Sequence, residues 1–215
     1  MIRLASVVPS DERFSVRCRI SAESGFSLVE FLLSSLILVI IAGAVFDLLG
    51  RTQRTASYQT EVQAVIESTR IAMETVERTI SQAGNDPLHA GLPGIIITSA
   101  TEVRVCSDLT GSAAGQPDKG DPDGDTADAN EDLTIRYNAG TRTIELVNGG
   151  VAQPVASNIS AFSMEYFDAT GAATNIGDDV RRIRVNMTGR SAVADPQTGQ
   201  VFSMELSGDI KLRNR

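Results

Sequence analysis

The chain has 215 residues, 42% hydrophobic and 21% charged, which excludes a disordered composition and leaves room for one ordinary domain plus an extra element. Its formal net charge of −8 argues against a nucleic-acid binder held by phosphate contacts. The single histidine, His89, removes most Ser–His and Cys–His catalytic sets and histidine-built zinc sites.

Residues 1–25 read as a removable leader. They mix Arg3, Arg13, Arg17 and Arg19 with Asp11, Glu12 and Glu23. Cys18 lies there, so removal of the leader would leave Cys106 alone. An alternating apolar stretch around Cys106 predicts a buried free thiol rather than a disulfide.

From Phe26 to Phe46 the only charged residue is Glu30, and Asp47 ends the run. At about 1.5 Å per residue, a helix of this length nearly spans a ~30 Å hydrocarbon core. A secretory signal peptide fits poorly. Its apolar region is shorter, and here apolar residues continue past Ala42-Gly43-Ala44 to Leu49. A plain membrane anchor explains the length but not the glutamate. An ionisable group at the middle of a membrane helix costs roughly 3 kcal/mol, less near its end, and is functional by default.

Gly25-Phe26-Ser27-Leu28-Val29-Glu30 and the apolar run behind it resemble the prepilin peptidase site of type IV pilins and type II secretion pseudopilins. The resemblance implies a cut after Gly25, N-methylation of the new N-terminus at Phe26, and an assembly role for Glu30. It implies as partners a prepilin peptidase/N-methyltransferase, other pilin or pseudopilin subunits, and inner-membrane lipid before assembly. A freshly cut α-amino group has a reference pKa of about 8 and is mostly cationic at neutral pH. In a water-free filament core the Glu30 carboxylate needs a partner, and the Phe26 ammonium of a neighbouring subunit would supply it. The leader departs from the short basic form usual in that family. Initiation at Val16 would leave the short basic leader Val16-Arg17-Cys18-Arg19.

The helix is expected to continue to about Ala83, with residues 26–53 as its membrane or filament-core half and 54–84 as its amphipathic half. Val62, Ile66, Thr69, Met73, Val76, Ile80 and Ala83 recur at steps of three and four, as one helical face requires. Glu61, Glu67, Arg70, Glu74, Glu77 and Arg78 occupy the other, and Glu74–Arg78 has the favourable i, i+4 spacing. Gly84-Asn85-Asp86-Pro87 is a stop signal.

After Gly94 the period changes to two. Candidate strands are Ile95–Thr98, Glu102–Cys106, Leu133–Tyr137, Thr143–Val147, Ser160–Phe167, Val180–Met187 and Val201–Leu212, most of them separated by turn signals such as Asn148-Gly149-Gly150. The predicted fold class is α+β and pilin-like. It has a long N-terminal α-helix whose amphipathic half packs on an antiparallel β-rich head at 85–215. Within the family, Glu77–Gly84, Val155–Phe162 with Tyr166, and Ile210–Asn214 are similar to segments of PilW-like minor pilins and J-type pseudopilins.

The loop at 107–132 concentrates acids. Asp121, Asp123 and Asp125 alternate, and Asp132 falls twelfth from Asp121, as in an EF-hand loop, although glycine is fourth rather than sixth. These four residues are candidate Ca²⁺ ligands; a solvated flexible loop is the competing reading. No Walker loop, nucleophile elbow or HExxH is present, so no enzyme and no required cofactor is expected. The expected function is a structural minor pilin of the bacterial inner membrane, with its head in the periplasm, assembled into or priming a type IV pilus. The alternatives are a J-type pseudopilin of a type II secretion system and a membrane-anchored calcium-dependent adhesin.

Overall fold

A computed structural model describes residues 25–111 and 120–214. Residues 1–24 of the leader, with Cys18, and residues 112–119 of the acidic loop lie outside the described residues. The α+β expectation holds: one long helix, α1 (Leu28–Ser81), precedes an antiparallel head. The chain divides into two compact units, one ending at Leu48 and one starting at Leu49.

In the first unit, α1 opens where the apolar run begins. Ser27 lies outside the helix, and its carbonyl accepts the first helical bond, from the Phe31 N–H at 3.1 Å. Phe31, Leu32, Leu33, Leu36, Leu38, Ile40 and Phe46 all stay exposed. By length and composition this stretch suffices to cross a membrane. An apolar surface so extended marks an interaction surface rather than a water-facing one.

In the second unit α1 buries Val65, Thr69, Ala72, Met73, Val76, Thr79 and Ile80. This stripe corrects the predicted one at its start: Val62 and Ile66 are only half-buried, and Val65 takes the inward position. The exposed face carries the expected Glu74–Arg78 ion pair at 3.0 Å, contributing a few tenths of a kcal/mol at most. α1 ends at Ser81 and Gly84 takes a left-handed φ of 72°, so the stop acts within three residues of its predicted place.

The head has two sheets. A five-stranded antiparallel meander contains β1 (Ile95–Ser99), β2 (Glu102–Cys106), β3 (Asp132–Asn138), β4 (Thr143–Asn148) and β5 (Val151–Ala156) in spatial order. A three-stranded sheet contains β6 (Ile159–Phe167), β7 (Arg182–Ala194) and β8 (Val201–Lys211). β5 was not predicted, and β7 runs to Ala194 rather than Met187. The alternation is clean in β7, where Ile183, Val185 and Met187 are buried and Arg182, Arg184 and Asn186 are not. Cys106 is a buried thiol, as expected.

Both sheets lean on the α1 stripe. Val76 and Thr79 meet Ile135, Ile144, Leu146 and Val155 of the first sheet. Gly189 of β7 lies against Thr69 and Val65, and Gly208 of β8 lies 3.3 Å, measured from an added Cβ, from the Met73 sulfur. Neither glycine has a positive φ, so each is needed for close approach rather than for its backbone conformation. A Cβ at Gly189 would run into the Thr69 hydroxyl, which already donates to the Val65 carbonyl at 2.7 Å. Gly189→Ala is therefore expected to destabilise the chain by about 1–3 kcal/mol through overpacking. Thermal unfolding of detergent-solubilised protein, followed by circular dichroism, checks this; an unchanged midpoint would contradict it.

Candidate functional site

The segment before α1 is the first candidate. Gly25, Phe26 and Ser27 are non-helical and exposed, with Phe26 at 79% exposure. Among the described residues, nothing lies within 4 Å of where a Gly25 Cβ would sit. Glu30 occupies the third helical position, and its Oε2 accepts the Ser27 N–H at 3.4 Å. That contact is the return arm of a capping box, S-x-x-E. The sequence reading did not find it, although Ser27-Leu28-Val29-Glu30 spells the pattern.

The acidic loop is the second candidate. Asp121, Asp123, Asp125 and Asp132 are not brought together: among the described residues no group of three or more His, Cys, Asp or Glu is placed to hold a metal ion. Asp132 opens β3 and its carboxylate is gripped by both arms of the Arg104 guanidinium. Asp123 and Asp125 accept the backbone N–H groups of Asp125 and Ala127, each two residues on, as aspartates in turns commonly do. The alternating acids thus have a local use in turning the chain.

The acids that turn inward are Asp108 and Glu131, both 0% exposed. Glu131 accepts the N–H groups of Leu109 and Thr110 at 2.8 and 2.7 Å, and that of Asp128 at 3.3 Å. It ties the two ends of the loop together. The Oδ2 of Asp108 accepts the Gly124 N–H at 3.0 Å, while its Oδ1 is buried without a hydrogen-bond partner among the described residues. Spacing could not single out either residue, because both are further acids in or beside an acidic run.

Several other charged groups are engaged in structural contacts. On the outer face of the second sheet Arg184 bridges Asp209 and Glu165, and Arg182 stacks over the Phe167 ring at 4.2 Å. His89, at φ 55°, lines an open hollow with Asp86, Asp178 and Asn214. The Asp86 carboxylate there is occupied by the N–H groups of Ala90, Gly91 and Leu92. No known family's sequence model matches the chain, and comparison with curated proteins finds no match.

Two outcomes follow for the head. Glu131→Ala would strand three part-buried N–H groups and lower stability by about 1–3 kcal/mol, measured by denaturant unfolding in detergent. Acid should also weaken the head. Asp86 is held below the usual range by the Ala90 N–H, Asp168 by the Thr170 hydroxyl, Asp195 by the Gln197 N–H and Asp209 by Arg184. Each folded value lies below the unfolded one, so the unfolded chain takes up protons first as pH falls. Stability is complete above roughly pH 5 and declines through the acid range below it. A melting temperature flat from pH 6 to pH 2 would refute this.

Proposed function

We propose that the chain is a structural minor pilin: a membrane-anchored precursor cut after Gly25, methylated at Phe26, and assembled into or priming a type IV pilus. The observation that carries the reading is the order of features in the first unit. An exposed Gly25-Phe26-Ser27 stands immediately ahead of a helix long and apolar enough to cross a membrane, with one carboxylate, Glu30, three positions into it.

In this reading the apolar half of α1 waits in the inner membrane with the head in the periplasm, then exchanges lipid for the helices of other subunits. The exchange is nearly neutral for the apolar side chains and is decided by polar pairing. Glu30 is the charge that chooses the register, by meeting the Phe26 ammonium of a neighbour. Leaving one member of such a buried pair alone costs about 3–5 kcal/mol, enough to exclude a subunit that docks one step out of place.

Mass spectrometry of protein from membranes and from sheared filaments tests the proposal. The expected mature N-terminus is N-methyl-phenylalanine at Phe26. A chain starting near Asp47, or one that keeps its leader in cells containing a prepilin peptidase, overturns it. Glu30→Gln, which removes the charge and keeps the shape, is expected to reduce recovery in sheared filaments at least tenfold while leaving the chain in membranes.

A further inference from the structure

We propose that the free edge of β8 is a docking site for an extended segment of another protein, which joins the three-stranded sheet as a further strand and sets a lysine or arginine opposite Glu205. The site needs nothing from the Gly25–Glu30 motif.

Unpaired backbone groups along a sheet edge invite another strand, and native edges are usually blunted against it. The head's two sheets have edge strands β1, β5, β6 and β8. β5 holds Pro154, which has no N–H to offer, and its register with β4 slips between Ile144 and Glu145. β1 has only five residues. The short helical turn Gly177–Asp179 packs on it so closely that a Cβ on Gly177 would run into the Ile95 carbonyl. β6 gives its Ile159 and Met164 N–H groups to turns of the first sheet.

β8 shows none of these features. It runs for eleven residues without a proline. Its register with β7 is unbroken from the Arg182/Lys211 pair to the Arg190/Ser203 pair. In an antiparallel ladder, alternate residues turn their N–H and C=O groups away from the partner strand. Among the described residues, no backbone bond from outside the sheet reaches residues 203–211.

The edge also adjoins incompletely covered apolar side chains. Met204 and Leu206 belong to the inward row of β8 with Gly208 and Ile210, yet both are only half-buried. Gly208 lies against Met73; Met204 pairs with Gly189, which lies against Thr69 and Val65. Moving from Gly208 to Met204 therefore moves along α1 from Met73 toward Val65. At about 3.6 residues per turn, Ile66 and Val62 fall on the Met73 side of the stripe. Ala64 and Ser68 fall on the other side, beside Pro154, Val155 and Ser157. Ile66 and Val62 are half-buried as well. The inward side chains of an added strand would cover this flank, in the manner of peptide recognition by strand addition.

Charge decides the occupant's outward row. Asp209 is already bonded by Arg184 and Arg182, and Asn186 accepts the Ser207 hydroxyl. Glu205 is exposed, and the residue directly across from it in β7 is Thr188. Opposite charges across a strand pair are favourable and like charges are not. The segment that fits alternates apolar and polar residues and carries a cation at this point. A second copy fits worse. Two β8 strands would pair antiparallel about a two-fold axis normal to the sheet, which reverses every direction in the sheet plane. The helical stretches that bury residues 65–80 would then run opposite ways, whereas copies anchored in one membrane, as proposed for this chain, present α1 the same way round.

The test uses the full-length chain in detergent and a synthetic peptide of alternating valine and threonine with one central lysine. Amide hydrogen exchange is read by mass spectrometry with and without the peptide. Exchange across residues 203–211 is expected to slow, while that of β5 stays unchanged. A peptide with the same side chains but alternate backbone nitrogens methylated cannot join a ladder, and it is expected to protect nothing. Glu205→Lys alters an exposed side chain. It is expected to weaken binding of the lysine peptide about threefold, the scale of one cross-strand charge pair, and to strengthen binding of a glutamate peptide by the same factor. No protection of β8, equal protection by the methylated peptide, or indifference of both peptides to Glu205→Lys overturns the proposal. A chain that sediments as a dimer with its β8 amides already slow overturns it too, because the edge would then belong to a second copy. All of these results leave the Phe26 N-terminus, and so the assembly reading, to its own measurement.

Discussion

One apolar stripe on α1 carries the head. Val65, Thr69, Met73, Val76 and Ile80 form the surface on which both sheets close, and Met73, Val76 and Ile80 share one core with Val103, Ile135 and Ile144 of the first sheet and Ile183, Val185 and Met187 of the second. A three-stranded sheet has no means of covering its own apolar face, and a layer of helix is the ordinary solution. The close approach at Gly189 and Gly208 follows from that demand. Side chains there would hold the helix off the sheet and open a gap along the whole stripe. The stripe is also why α1 changes character along its length. In the first unit, from Leu28 to Leu48, the apolar residues encircle the helix instead of forming a face.

Much of this was legible in the residues. Period-two stretches found seven of the eight strands, and period 3.6 found the helix and most of its inward face. β5 escaped because Val151-Ala152-Gln153-Pro154 has no alternation and contains a proline. It lies at the edge of its sheet, where a residue lacking an N–H is tolerated and one-sided burial is not required. β7 looked shorter than it is because Gly189 and Ser191 interrupt the apolar pattern. Gly189 is small to admit the helix, and the Ser191 hydroxyl is buried against the Val193 carbonyl and the Phe202 N–H. Tertiary contacts decide both residues, and no local period reports them.

The candidate sites divide in the same way. The Gly25–Glu30 motif is local, so the sequence displays it, yet the cap inside it was overlooked because a charge before an apolar run invites a long-range explanation. The acidic loop differs in that its partners are distant in sequence. An EF-hand spacing is a statement about neighbours in sequence, whereas Asp132 is claimed by Arg104 across two paired strands. Glu131, one residue earlier and in the turn that precedes β3, is fully buried, and it becomes the residue that closes the loop.

The two sheets are also stitched to each other where no helix intervenes. The Met164 N–H of β6 bonds the Ala100 carbonyl in the β1–β2 turn, the Ile159 N–H bonds the Arg142 carbonyl in the β3–β4 turn, and the Tyr166 hydroxyl bonds the Ser99 carbonyl. The turns of the first sheet thereby occupy the edge of β6 that faces away from β7. With a shared core on one side and shared backbone bonds on the other, neither sheet has a separable free energy of its own. The head should melt in one cooperative transition, and damage to the meander would be felt at once in the three-stranded sheet. Under a pulling force, load entering either sheet would spread into both before any strand is peeled away.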